Sequence, residues 1–113
     1  MERKIKFRAW RPNKLEMDYF DFIKTEDVAK FGEGNWFLQH LMQYTGLMDK
    51  NGKEIYEGDI CSGHSDGNGK IVWNDFEWVY QFEGEDIVGI WEVRSDLKIV
   101  GNIYENPELL TPQ

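Results

Sequence analysis

Cys61 and His64 stand close in sequence, and a thiol beside an imidazole is a common route to a protein nucleophile. Here the pair heads a glycine-rich stretch, Ser62 to Gly69, whose spacing imposes no geometry between the two groups. We therefore read Cys61 as a cysteine at a strand end and His64 as a loop histidine. His40, alone between Gln39 and Leu41, reads as a core-edge or surface residue. Asp49-x-Asn51-Gly52 and Asp66-x-Asn68-Gly69 each open like a calcium loop. Neither continues to the further oxygen ligand and the distal Glu that an EF-hand needs, so both read as turns. Glu57 and Asp59 could share acid–base chemistry only inside a pocket. Asp59 otherwise suits a carboxylate that anchors backbone amides after a Glu-Gly turn. No catalytic, cofactor-binding or metal-ligating set emerges, and we expect a protein that is not an enzyme.

Charge gives a stronger signal. The chain carries a net charge of −8 over 113 residues, yet residues 1–15 hold Arg3, Lys4, Lys6, Arg8, Arg11 and Lys14 against Glu2 alone. That segment sums to +5 and the remainder to −13. A basic strand on an acidic body must face solvent, an acidic surface of its own chain or of another subunit, or a polyanion. We take Lys4, Lys6, Arg8 and Arg11 as the candidate interaction face. Nucleic acid is the weaker partner, because the rest of the chain repels phosphate. A second candidate is the aromatic row Phe76, Trp78, Tyr80 and Phe82, at the period of one strand face. Barrels that bind single strands pair such rows with cations. This row sits among Glu77, Glu83, Glu85 and Asp86, and so reads as core or subunit interface.

The elements that would position these residues are mostly strands. Lys4 to Trp10 alternates, with Ile5, Phe7 and Ala9 on one side and Lys4, Lys6 and Arg8 on the other, which predicts a half-buried strand. Arg11-Pro12-Asn13-Lys14 turns the chain, and Leu15, Met17 and Tyr19 continue the alternation, so a hairpin spans residues 4–23. Thr25-Glu26-Asp27-Val28 begins a short capped helix that Gly32 and Gly34 end. Asn35–Tyr44 suits either a helix or a strand, with a strand favoured at Met42–Tyr44. Asn51-Gly52 is a hairpin turn, and Glu57-Gly58-Asp59 turns the chain into Ile60. Strands are predicted at Lys70–Trp73, Glu77–Phe82, Ile87–Arg94 and Leu97–Tyr104, with turns at Asn74-Asp75 and Ser95-Asp96. Asn106-Pro107-Glu108 opens a last helical turn. The expected core is Phe7, Tyr44, Ile60, Ile71, Trp73, Trp78, Tyr80, Trp91, Ile99 and Ile103.

Three blocks resemble the YopX family, small proteins encoded mostly by bacteriophages and prophages. They are Ile5-Lys6-Phe7-Arg8-Ala9-Trp10, the long segment Leu41–Ile60, and the tail from Gly101 to Leu109 within VGNIYENPELL. The resemblance implies a phage or prophage accessory protein and brings no assigned activity or catalytic residue with it. Each block also has a structural reading, as turn chemistry interleaved with apolar contacts.

The expected architecture is a single domain, 1–113, mainly β with a short helix. Residues 1–44 form an N-terminal hairpin and helix, and residues 45–113 an SH3-like or curled β-barrel. Seven Phe, five Tyr and five Trp supply large buried areas. One cysteine permits no internal disulfide and fits a reducing compartment. The start of the chain lacks the apolar run of a secretory signal, and no segment is long enough to span a bilayer. We expect a bacterial cytoplasmic protein, without cofactor or membrane contact, that acts through protein–protein contacts as a homo-oligomer. A host or phage protein is a further possible partner. The alternative is a nucleic-acid accessory factor that uses the basic strand.

Overall fold

Period-two alternation and glycine- or asparagine-bearing turns produce nine strands, which a computed structural model describes over residues 5–20, 40–64, 67–82 and 86–110. The first sheet has the order β2-β1-β3-β4, from Phe7–Arg11 (β1), Glu16–Phe20 (β2), Leu41–Met48 (β3) and Glu54–Tyr56 (β4). The second has the order β8-β7-β6-β5-β9, from Asp59–Ser62 (β5), Gly69–Asn74 (β6), Glu77–Phe82 (β7), Asp86–Gly89 (β8) and Lys98–Asn102 (β9). Every pairing is antiparallel. A short helix, α1 (Ile90–Val93), and a 3₁₀ turn at Pro107–Leu110 complete the elements among the described residues.

The protein is mostly β, as expected, with the second sheet curled into a half-barrel. The N-terminal hairpin is present with Phe7 opposite Phe20 and Trp10 opposite Met17. The predicted helix at Thr25 lies outside the described residues. The strand favoured at Met42–Tyr44 is part of β3. A boundary between residues 44 and 45 falls inside that strand, which pairs with β1 through Leu41–Gln43 and with β4 through Tyr44 and Met48. The two sheets are therefore not the two predicted subregions.

The larger core lies in the curl of the second sheet. Ile71 and Tyr80 face inward from β6 and β7, and Ile55, Cys61, Ile90, Val93 and Leu97 pack with them. Gly69 leaves room for the Tyr80 ring, which crosses β6 so that its hydroxyl donates to the Cys61 carbonyl at 3.1 Å. A Cβ at position 69 would lie 2.5 Å from that ring.

Three expectations need correction. The strand predicted at Ile87–Arg94 ends at Gly89, and the chain turns helical. Ile90 and Val93 both point into the core at helical spacing, while Trp91 and Glu92 face out. Trp91, expected in the core, is 65% exposed for that reason. Trp73, also expected inside, is 52% exposed because it stands one residue short of the end of β6, past Ile71, the last core residue of its face.

Candidate functional site

β1 lies between β2 and β3, so a residue leaving its inner face meets protein, not water. Arg8 does this. Its Nη2 donates to Asp59 Oδ1 at 2.8 Å and to the Glu57 carbonyl at 3.2 Å, and its guanidinium sits 4.9 Å from the centre of the Tyr56 ring. The second oxygen of Asp59 accepts the Tyr56 amide at 2.7 Å. Arg8 is 4% exposed and Asp59 2%, so of the settings open to the basic strand Arg8 takes an acid of its own chain, in a buried ion pair that ties the sheets together. Burial pushes the Asp59 carboxyl above its ordinary value, against the pull of Arg8 and of the Tyr56 amide. The turn that presents Asp59 needs Gly58 at φ +86°, in the left-handed region that side chains disfavour. The Nε of Arg8 is buried without a hydrogen-bond partner.

Lys6 and Arg11 are engaged as well. Lys6 Nζ is 2.6 Å from Glu54 Oε2 and 5.6 Å from the Tyr44 ring centre, and Arg11 Nε is 2.5 Å from Asp18 Oδ2. Lys4 lies outside the described residues, and Lys14 is exposed in the β1–β2 turn. The acidic surface that meets this strand is thus the chain's own, at least for Lys6, Arg8 and Arg11.

A cleft of about 350 Å³ opens beside the Arg8–Asp59 pair. Arg8, Tyr19, Lys53, Glu54 and Tyr56 line it from the first sheet and its β3–β4 turn. Val100, Gly101 and Asn102 of β9, with Glu105 and Asn106 beyond, form the facing wall. Local bonds shape that wall: Asn102 Oδ1 accepts the amides of Tyr104 and Glu105, and Asn106 Oδ1 accepts the Asn102 amide. Asn102 also donates through Nδ2 to Glu105 Oε2 at 2.5 Å. Segments far apart in sequence, around Arg8, Lys53–Asp59 and Gly101–Asn106, meet in this one place. Sequence reasoning reads them separately, as a strand at Arg8, turns around Lys53 and Asp59, and a strand reaching Tyr104 before a helical turn at Asn106. The missed signal is that Lys53 and Glu105 are charges their turns do not require.

The sequence-predicted candidates elsewhere are structural. Asp49 is buried and accepts the amides of Asn51, Lys53 and Ile99 at 2.9, 2.9 and 3.0 Å. Burial alone would raise its carboxyl, but these donors hold it below the ordinary value. Cys61 is fully buried, and burial, with Asp59 and Asp49 adding to it, pushes the thiol up to about 12. His64 is exposed and lies edge-on to Tyr80 and Phe82, offering Cys61 no activating role. Glu57 is raised by burial and accepts the Gln43 amide. Asp66 lies outside the described residues, and Asn68 donates to the Leu109 carbonyl. Among the described residues, no group of three or more His, Cys, Asp or Glu side chains could hold a metal ion. No described helix is long and apolar enough to cross a membrane.

The aromatic row divides. Tyr80 is buried and Trp78 and Phe82 half-buried, whereas Phe76 is 93% exposed at the tip of the β6–β7 hairpin. Trp73 stands edge-on to Trp78 across that hairpin, with ring centres 4.9 Å apart. Gly89 pairs with Val79, so α1 begins level with Trp78 and carries Trp91 to the same end of the sheet. Arg94 covers the Trp91 ring at 3.8 Å.

These features define a small two-sheet β protein with a polar cleft between its sheets and exposed aromatics at one end. The sequence pattern of the YopX protein family matches residues 6–111, and the chain belongs to that family. The fold is similar to the crystal structure of protein EF1440 from Enterococcus faecalis, with a TM-score of 0.64 and 25% identity. That likeness covers 97% of this chain and 100% of the other. Comparison with curated proteins finds no match.

Proposed function

We propose that this chain is a non-enzymatic accessory protein of phage or prophage origin that works in the host cytoplasm through protein–protein contacts, as a homo-oligomer. The observation that carries the reading is Phe76. It is almost fully exposed and sits at φ +77°, where a bulky side chain is strained. An isolated hairpin tip gains nothing from an aromatic ring held in strain and in water, whereas an apolar contact would offset both. Trp73 and Trp91 share that end of the sheet, and interfaces are enriched in such residues. Membership of the YopX family supports the accessory role.

This relocates the contact. The basic strand was the expected interaction face, but Lys6, Arg8 and Arg11 are spent on internal acids, so replacing Arg8 by Ser would disturb the fold before any interface. The same pairing weakens the nucleic-acid alternative. Sedimentation of the wild type beside a Trp73→Ser/Phe76→Ser/Trp91→Ser variant tests the reading. We expect a defined oligomer for the first and a folded monomer for the second; a wild-type monomer, or an unchanged oligomer in the variant, would overturn it.

A further inference from the structure

We propose that the cleft between the sheets binds a small zwitterion of the α-amino-acid type, one carboxylate and one ammonium on a compact body. This assignment does not depend on the oligomer proposed above. The cleft's volume, about 350 Å³, falls at the small end of the range for small-molecule sites. Of the charges that line it, Arg8 and Asp59 neutralise each other, and Glu54 is neutralised from outside the cleft by Lys6. That leaves Lys53 on one wall, in no ion pair among the described residues, and Glu105 on the other, whose carboxylate accepts from the neutral Asn102 amide. A purely anionic ligand would face Glu54, Asp59 and Glu105; a purely cationic one would face Arg8 and Lys53. A molecule bearing both signs satisfies both walls at once.

The second observation is the guanidinium itself. Arg8 is nearly fully buried at the cleft, and its protein hydrogen bonds run through Nη2 alone, with Nε lacking a partner. Buried polar donors are nearly always satisfied, and Nη1, which makes no hydrogen bond among the described residues either and is not sealed off as Nε is, is the donor of this cleft-lining side chain that an oxygen of a ligand would take. The carboxylate then lies toward Arg8 and Lys53, and the ammonium toward Glu105. Carboxylate recognition by a guanidinium is the stronger of the two contacts because it is charge-assisted and directional.

The test is a ¹H–¹⁵N titration of the whole chain with each of the twenty α-amino acids, with acetate as the anion alone and ethylammonium as the cation alone. We expect at least one amino acid to give saturable shifts at the amides of Gly101, Asn102 and Glu105, and neither acetate nor ethylammonium to do so. Lys53→Gln and Glu105→Gln, both at exposed positions, should keep the wild-type spectrum and each weaken binding about tenfold or more, the scale of one lost charge contact. The proposal is overturned if no amino acid saturates, if acetate or ethylammonium binds as well, or if both variants bind like the wild type.

Discussion

A single side chain, Arg8, decides how the basic strand is understood. Opposite charges taken out of water are stable only when each satisfies the other, so removing one partner is far worse than removing both. Arg8→Met should therefore destabilise the protein by about 3–5 kcal/mol. Adding Asp59→Asn, which keeps an acceptor for the Tyr56 amide, should restore part of that loss in urea melts; additive losses would mean the pair is not coupled. Asp49 behaves differently. Its carboxyl is held below the ordinary value in the fold, so its contribution is present above the unfolded-state value of 3.8 and is lost as pH falls through the lower folded value. The stability gap between wild type and Asp49→Asn should shrink on acidification, and a gap independent of pH would contradict this. Cys61, with its thiol near 12 and no exposure, should resist a disulfide reagent at pH about 8 until denaturant unfolds the chain. Prompt reaction in the native state would show that the site opens.

At the scale of elements, much of the fold was legible because strands and turns obey local rules. The hairpin turns at Asn51-Gly52 and Asn74-Asp75, the Glu-Gly turn and β7 stand where alternation and turn chemistry put them. What was not legible depended on partners distant in sequence. Period two assigns charged residues to water, and nothing near Arg8 announces an aspartate 51 positions away. The α1 helix hid inside an apolar run, although Ile90, Val93 and Leu97 already carried helical spacing. The cleft was invisible for a similar reason, since β9 joins its wall only through pairing with β5. Gly69 tests this level of the account. Gly69→Ala drives a methyl into the Tyr80 ring and should cost about 1–3 kcal/mol. Gly67→Ala, where nothing lies within 4 Å, should be close to neutral; equal effects in denaturant melts would refute the close approach.

For the whole molecule, the two sheets share one economy of charge and one of apolar surface. The first sheet brings cations to acids of its own chain, so the sequence asymmetry of +5 against −13 is partly neutralised inside the protein. The edge of β9 is closed in a related way: Ile99 donates to Asp49, the Leu97 carbonyl accepts the Lys50 amide, and Asn106 engages both backbone groups of Asn102. Such blocked edges discourage unwanted strand pairing. At the aromatic end of the second sheet Arg94 covers the Trp91 ring and Trp73 leans on Trp78, but Phe76 stays 93% exposed, and the proposed protein–protein contact is the one that would cover it. A contact of that kind is apolar and insensitive to screening, whereas one built on Lys4, Lys6, Arg8 and Arg11 would loosen in salt. Native mass by light scattering, at low and at high salt, separates these directly. The account predicts a defined oligomer of the same mass in both; a monomer in both, or an oligomer that dissociates as salt rises, would contradict it.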